Sequence, residues 1–201
     1  SCCGELNPTT GVMLSGGALP FNAGTNMIER VSGRCPTRVT VENDANCALL
    51  AEVHDGALTG CTNAIALVIG TGVGGALLIN GGLYHGSHFH SGNASFTLPS
   101  LAEPYDPSRL FALTNGVGGL LRPVAVAKGL DDGVLDGPGF FALLDADDPA
   151  AVAAFDGFCA RLASYIYNVQ TLLDVEAVAL GGGISVQPRF ARTVREKVAT
   201  L

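Results

Sequence analysis

Two polar residues, Asn43 and Asp44, follow a predicted strand at 38–41 and precede a predicted helix at 45–54. The carboxyl end of a strand is where open α/β sheets bind ligands. A helix N-terminus keeps an aspartate ionised, so Asp44 could accept a proton from a substrate hydroxyl while Asn43 hydrogen-bonds another. An aspartate here is equally typical of a helix N-cap with no catalytic role. This segment alone leaves both interpretations open.

The segment 70–75, Gly-Thr-Gly-Val-Gly-Gly, satisfies the spacing G-x-G-x-x-G. A dinucleotide-binding fingerprint also needs a following helix and an acid about 20 residues further on. Here the Asn80-Gly81 pair predicts a hairpin turn, and no acid occurs before Glu103. The segment also lacks the Gly-Lys-Ser/Thr of a P-loop. Both motifs are therefore excluded.

A tight Gly70-Thr71-Gly72 turn between antiparallel strands could still bind an anion. Such a turn can direct successive backbone N–H groups toward an anion, and the threonine adds a hydroxyl. The absence of lysine and arginine nearby in the sequence fits a site that relies on backbone dipoles and a metal ion. A plain hairpin turn that needs glycine dihedrals is the alternative.

Three successive glycines, Gly181, Gly182 and Gly183, separate a predicted strand at 175–180 from a predicted helix at 187–199. Without side chains they would let a planar group approach the backbone in front of a helix N-terminus. A crowded junction between strand and helix explains the same glycines without a ligand.

The loop 85–93 contains three histidines, His85, His88 and His90. Three imidazoles could in principle bind zinc, but no cysteine and no well-spaced fourth ligand lie nearby. We therefore predict ligand contact or simple exposure for these histidines, and no metal site.

The predicted elements that position these residues alternate between strands and helices. Asn80-Gly81 predicts antiparallel strands at 64–69, 73–79 and 82–85. Asp148-Pro149 begins one long amphipathic helix, whose apolar residues recur every three or four positions from Val152 to Leu173. Further strands are predicted at 9–15, 38–41 and 175–180, and further helices from a Thr25 cap to Gly33, at 45–54, after Asp106-Pro107 and at 187–199.

Composition narrows the class of protein. The chain has 201 residues, of which 48% are hydrophobic and 14% charged, so it can bury a core and is not intrinsically disordered. Its net charge of −7 argues against a nucleic-acid-binding surface. The six cysteines form no C-x-x-C pair and indicate reduced thiols. The most apolar stretch, 64–79, is shorter than the roughly 20 residues of a membrane-spanning helix, and no signal peptide is evident, so we expect a cytoplasmic location.

Several of these segments together resemble the ROK family of sugar kinases and repressors. Residues 183–188 and the Ser95-Phe96 pair look closest to the branch that includes β-glucoside kinases and lacks the zinc motif. The segments that carry the resemblance, in chain order, are Val-Glu-Asn-Asp-Ala-Asn at 41–46, Ile-Gly-Thr-Gly-Val-Gly-Gly at 69–75, Leu-Asp-Val-Glu at 173–176 and Leu-Gly-Gly-Gly-Ile-Ser at 180–185.

The resemblance implies an α/β fold of the actin/hexokinase type (ribonuclease H-like), a two-lobed ATPase in which ATP with Mg²⁺ and a sugar meet in a cleft. Residues 1–55 would be the remainder of the first lobe and 56–201 the second lobe. The implied reaction transfers the ATP γ-phosphate to a hydroxyl of a hexose or hexoside, and the implied assembly is a homodimer. The implied site residues are Asp44 as catalytic base, Asn43, Asn93 and His90 for the sugar, and Gly70, Thr71, Gly72, Gly181, Gly182 and Gly183 for the nucleotide.

Two features depart from the family pattern. The family's early Asp-x-Gly-x-Thr phosphate motif is missing, so we expect roughly the first seventy residues of a typical member to precede Ser1 and the chain alone to be inactive. In addition, Asn93 stands where kinase members have a glutamate. A charged acceptor contributes about 1.5–3 kcal/mol against 0.5–1.5 for a neutral one, so sugar affinity could drop tenfold or more. The alternative function is therefore a catalytically weakened sugar-binding protein or a ROK-type transcriptional regulator.

Restoring the carboxylate tests the consequence of Asn93. We predict that Asn93→Glu in the complete protein strengthens binding of a hexose by about tenfold, because a carboxylate accepts stronger hydrogen bonds from hydroxyls than an amide does. Calorimetry against a panel of hexoses measures the change. Weaker binding of every sugar would contradict the prediction.

Overall fold

A four-stranded sheet forms the centre of the computed structural model, which describes residues 1–99 and 106–201. The strand order is β3-β2-β1-β4, with β1 antiparallel to β2 and parallel to β4. Asn80 and Gly81 both have positive φ, 53° and 76°, which confirms the predicted hairpin between β2 and β3. The strands are β1 (Ala64–Ile69), β2 (Val73–Ile79), β3 (Gly82–Leu83) and β4 (Ala177–Gly181).

Helices cover both faces of the sheet. Along β1, Ile65 and Leu67 face a large core cluster with the C-terminal helices, whereas Ala64 and Ala66 face a smaller cluster with α2. Side chains alternate between the faces of a strand, so these two large residues of β1 face the C-terminal helices and its two alanines face α2. The helices are α1 (Met27–Ser32), α2 (Asp44–Asp55), α3 (Phe111–Asn115), α4 (Val117–Ala127), α5 (Gly137–Asp145), α6 (Pro149–Leu173) and α7 (Pro188–Val198).

The long helix predicted after Asp148 is α6. The Asp148 carboxylate accepts from two backbone N–H groups of the first turn, and Asp174 ends the helix in the left-handed conformation. Two of its predicted core positions are wrong, because Val152 and Leu173 are 37% and 39% exposed. Both residues lie in the terminal turns of the helix. In the first turn, Ala151 rather than Val152 belongs to the core. No helix among the described residues is long and apolar enough to cross a membrane.

The predicted strands at 9–15 and 38–41 are not formed. Within 9–15, Val12 and Met13 form only single bridges, to Asn26 and to Leu6, and no residue of 38–41 forms a bridge; the nearest one joins Cys2 to Asn43. A strand needs a neighbour along its length, and among the described residues neither segment has one.

Three predicted helix starts are also corrected. Asn26 rather than Thr25 caps α1, because its side chain accepts from the N–H groups of Ile28 and Glu29. Asn43 rather than Asp44 caps α2, which ends at Asp55 with Gly56 as its C-cap. Asp106 caps a short 3₁₀ turn, Pro107–Arg109, instead of an α-helix.

Gly74 and Gly75 in β2 let two different segments touch the sheet. A Cβ atom at Gly74 would lie 3.0 Å from the Ala45 side chain, at the start of α2. A Cβ atom at Gly75, on the opposite face, would lie 2.1 Å from the Gly92 carbonyl oxygen, at the end of the loop 85–93. The first turn of α2 and the end of this loop therefore pack directly against the backbone of β2.

We predict that Gly75→Ala destabilises the protein by about 1–3 kcal/mol, because the added methyl group overlaps a carbonyl group that cannot move aside alone. Gly118→Ala is the matched control: a Cβ atom there meets nothing within 4 Å, and alanine favours the helical conformation of α4. Thermal unfolding of both variants measures the difference. Equal melting temperatures for the two variants would contradict the prediction.

Candidate functional site

A cleft of about 660 Å³ opens where the N-terminal segment, the start of α2, the β1–β2 turn and the loop after β3 meet. Six of the residues predicted from the sequence as site residues line it together: Asn43, Asp44, Gly70, Thr71, Gly72 and Asn93. No lysine or arginine belongs to the described lining. Of the predicted residues, the cleft thus brings one carboxylate, two amides and a glycine turn into a shared space.

Asp44 is the first residue of α2 and is exposed in this cleft. Its Oδ1 accepts from the neighbouring Ala45 N–H at 3.0 Å, and no described side chain donates a hydrogen bond to it. Asp44 is therefore a carboxylate with acceptor capacity to spare.

Asn43 is the N-cap of α2, a role that the sequence analysis considered for Asp44. Its Oδ1 accepts from the N–H groups of Ala45 at 2.9 Å and Asn46 at 3.2 Å, while its Nδ2 donates to the Gly4 carbonyl oxygen at 2.9 Å. An amide group carries two N–H donors, so one remains for a ligand hydroxyl. Asn43 thus fixes α2 against the N-terminal segment and can still donate once.

Glu42 also lines the cleft, and the sequence reasoning missed it. Its Oε1 accepts from the Asn43 N–H at 2.8 Å and from Asn46 Nδ2 at 2.9 Å, and its Oε2 lies 2.7 Å from His85 Nε2. Burial by itself raises the pKa of Glu42, but the hydrogen bonds from Asn46, His85 and the Asn43 backbone outweigh it and hold the pKa below its ordinary value. The sequence feature that could have identified Glu42 is its place in the 41–46 motif, directly before Asn43.

The Gly70-Thr71-Gly72 turn offers two backbone donors rather than three. Gly70 N–H donates to the Gly72 carbonyl oxygen at 2.9 Å, and the Gly70 carbonyl oxygen accepts from Val117 N–H at 2.9 Å, at the start of α4. No described residue accepts from the Thr71 and Gly72 N–H groups. A Cβ atom at Gly70 would meet nothing within 4 Å. The space beside Gly70 is therefore open toward the cleft.

The second glycine turn lies beside the first, because β4 runs parallel to β1 and pairs Gly181 with Val68. Gly182 has φ +94°, and a Cβ atom there would lie 2.0 Å from the Ile69 carbonyl oxygen. Packing alone thus requires Gly182, whereas a Cβ atom at Gly183 would meet nothing within 4 Å. The described lining of the cleft does not include this turn, and a 3₁₀ turn, Gly183–Val186, stands between it and α7.

The predicted sugar residue His90 lies outside the cleft lining. Its Nδ1 contacts the carboxylate of Glu5, which lines the cleft, and its ring centroid is 5.3 Å from that of Phe96. With Asn93, His90 lines a neighbouring pocket of about 360 Å³. Within residues 1–99 and 106–201, no group of three or more histidine, cysteine, aspartate or glutamate residues is arranged to hold a metal ion.

Comparison with known proteins places these features in a family. The family model described as "ROK family" matches residues 3–99 and 131–201. A β-glucoside kinase of Listeria innocua is 31% identical over 202 residues, and the match covers 100% of this chain and 68% of the relative. The chain thus spans about two thirds of the length of the curated relatives it matches.

Solved structures share the fold. The Lmo2764 protein of Listeria monocytogenes superposes with a TM-score of 0.91 at 30% identity, covering 100% of this chain and 69% of that one. A glucokinase of Streptomyces griseus in complex with glucose and AMPPNP has a TM-score of 0.84 at 22% identity, covering 97% and 68% of the two chains. The predicted hexokinase-type fold is confirmed, while the division at residues 55 and 56 stays a prediction. The family match over most of the sequence and the 31% identity to a β-glucoside kinase show that this chain belongs to the ROK family.

Proposed function

We propose that the protein carrying this chain is an ATP-dependent ROK sugar kinase that phosphorylates a hydroxyl of a hexose or hexoside. One observation carries the proposal. In a single cleft, the exposed Asp44 carboxylate shares the lining with Thr71 and Gly72, whose N–H groups have no acceptor among the described residues. Relatives named β-glucoside kinase support the same activity.

In the proposed reaction, Asp44 is the general base. The substrate hydroxyl donates a hydrogen bond to the carboxylate, its oxygen attacks the γ-phosphorus, and the bond to the bridging oxygen of ADP breaks. The proton passes to the Asp44 carboxylate. Such a base contributes about 10²–10⁴-fold, and the remainder of the catalysis is positioning and charge stabilisation.

The nucleotide phosphates are proposed to bind at the Gly70-Thr71-Gly72 turn. The N–H groups of Thr71 and Gly72 and the Thr71 hydroxyl are donors suited to phosphate oxygens. The AMPPNP complex of the Streptomyces griseus glucokinase, which shares the fold, supports the choice of ATP. Gly181, Gly182 and Gly183 are proposed for the nucleoside side.

Mg²⁺ is proposed to accompany the nucleotide. It prefers oxygen ligands, keeps several waters and is held mainly through phosphates, so it needs no all-protein cage. Asp44 and Thr71 supply fitting oxygen atoms in the cleft, whose described lining has no lysine or arginine to neutralise a triphosphate. When bound, the ion would supply that neutralising charge.

The sugar is proposed to contact Asn43 and Asn93, both of which line the cleft. His90 is proposed to contribute to the sugar site through its contact with Glu5, which lines the cleft. The homodimer stays a prediction of the family resemblance, and the cytoplasmic location stays a prediction from the sequence composition.

Asn93 favours a second candidate, a ROK-type regulator or sugar-binding protein without catalysis. The amide replaces the carboxylate of kinase members and is a weaker acceptor for sugar hydroxyls. Sugar-dependent ADP release by the complete protein, with ATP and Mg²⁺, distinguishes the two. Sugar binding without ADP release would favour the regulator.

We predict that Asp44→Asn lowers sugar-dependent ADP release by about 10²–10⁴-fold, because the amide cannot accept the proton. Asp55→Asn, at the other end of α2 and outside the cleft lining, is the matched control and should retain activity. Circular dichroism checks that both variants fold. Near-normal turnover of Asp44→Asn would refute the assignment of the base.

We predict that Gly70→Ala raises the KM for ATP by about tenfold, or 1.4 kcal/mol, because its methyl group occupies the space proposed for phosphate. Gly137→Ala, where a Cβ atom also meets nothing within 4 Å, is the control at the start of α5. Neither substitution should alter the melting temperature by more than a few degrees. An unchanged KM for ATP in Gly70→Ala would remove the turn from the phosphate site.

A further inference from the structure

We propose that His85 is a positioning residue for Asp44: through Glu42, it holds the first turn of α2 in place beside the glycine turn. The inference rests on the proposed function, which makes Asp44 the general base. His85 is in the loop 85–93 after β3, and Glu42 comes 43 positions earlier. Their hydrogen bond joins two walls of the cleft.

The contact between His85 and Glu42 is short and partly shielded. Nε2 and Oε2 are 2.7 Å apart, and the two side chains are 29% and 18% exposed. An ionised carboxylate can only accept, so Nε2 carries the donated proton. Hydrogen bonds of this charge-assisted kind are stronger than neutral ones, and partial burial strengthens them further.

The other oxygen of Glu42 binds the helix start itself. Oε1 accepts from the Asn43 backbone N–H and from the Asn46 side chain, which stand on either side of Asp44 in the sequence. One carboxylate therefore connects the loop 85–93 to the residue before α2 and to a residue within its first turn. A shift of Glu42 would be transmitted to the backbone that carries Asp44.

Asp44 depends on this backbone because no described side chain holds it. The one hydrogen bond of its carboxylate is accepted from the N–H of the adjacent Ala45, while its own backbone N–H donates to the Cys2 carbonyl oxygen at 3.1 Å. The position of its carboxylate is therefore set by the first turn of α2, which the Asn43 cap and the Glu42 carboxylate stabilise. In proton transfer and phosphoryl transfer, a misplacement of about 1 Å can cost about 100-fold in rate.

His85 also lines the cleft, so it could instead contact the sugar directly. The two roles differ in kinetics. A residue that positions the base changes kcat, whereas a residue that binds the substrate alone changes the KM for the sugar.

The test compares His85→Asn, His85→Gln and the control His88→Asn in the complete protein. The glutamine amide reaches about as far as Nε2 and can donate to Glu42, but the asparagine amide is one bond shorter. His88 is an exposed histidine of the same loop and has no hydrogen bond or ion pair with a described residue. The readouts are steady-state kinetics with a hexose, ATP and Mg²⁺, and amide hydrogen exchange of residues 45–47.

We expect His85→Asn to lower kcat by about tenfold or more, with both KM values within about twofold of the unmodified protein. Hydrogen exchange of residues 45–47 should accelerate. His85→Gln should recover most of kcat and of the protection, and His88→Asn should match the unmodified protein.

Three results would overturn the inference: an unchanged kcat in His85→Asn, a loss confined to the KM for the sugar, or equal damage in His85→Gln and His85→Asn. If the complete protein phosphorylates no sugar, the proposed function fails, and the exchange measurement still decides the role of His85. Equal exchange rates in residues 45–47 of the unmodified protein and His85→Asn would then refute it.

Discussion

The absence of side chains at Gly74 and Gly75 is the constraint on which the cleft depends. Successive residues of β2 face opposite sides of the sheet, so one glycine admits the start of α2 and the other admits the end of the loop 85–93. A larger residue at either position would push one of these segments away from the glycine turn. The close backbone contact therefore sets the width of the site.

Two neighbouring carboxylates in this cleft differ in how many hydrogen bonds they accept from the protein. Glu42 accepts three hydrogen bonds, and its acceptor capacity is largely used by the protein. Asp44, two residues later, is exposed and has no side-chain donor among the described residues. A carboxylate whose lone pairs are used by hydrogen bonds from the protein suits a structural role, whereas one with free lone pairs can accept a hydrogen bond from a substrate hydroxyl. The different partners, rather than the residue types, separate the two roles.

The glycines of the site likewise divide by what surrounds them. Gly75 and Gly182 are required by backbone carbonyl groups about 2 Å from any added Cβ atom. Gly70 and Gly183 have open space instead, which packing within the described chain does not explain. The sequence alone presents these four residues as equivalent, because a glycine required for packing and one that leaves room for a ligand carry the same letter.

The sequence by itself determined the local elements and the family: the Asn80-Gly81 hairpin, the helix that begins after Asp148, and the segment 41–46, which leads into α2. Turn and cap chemistry acts over a few residues, so these features need no knowledge of the rest of the fold. The strands predicted at 9–15 and 38–41 failed because a strand also depends on a neighbour. Only the tertiary structure decided that Glu42 meets His85 and that His90, outside the cleft lining, meets Glu5. Such pairs join residues tens of positions apart, and their contacts follow from how the layers pack and not from spacing along the chain.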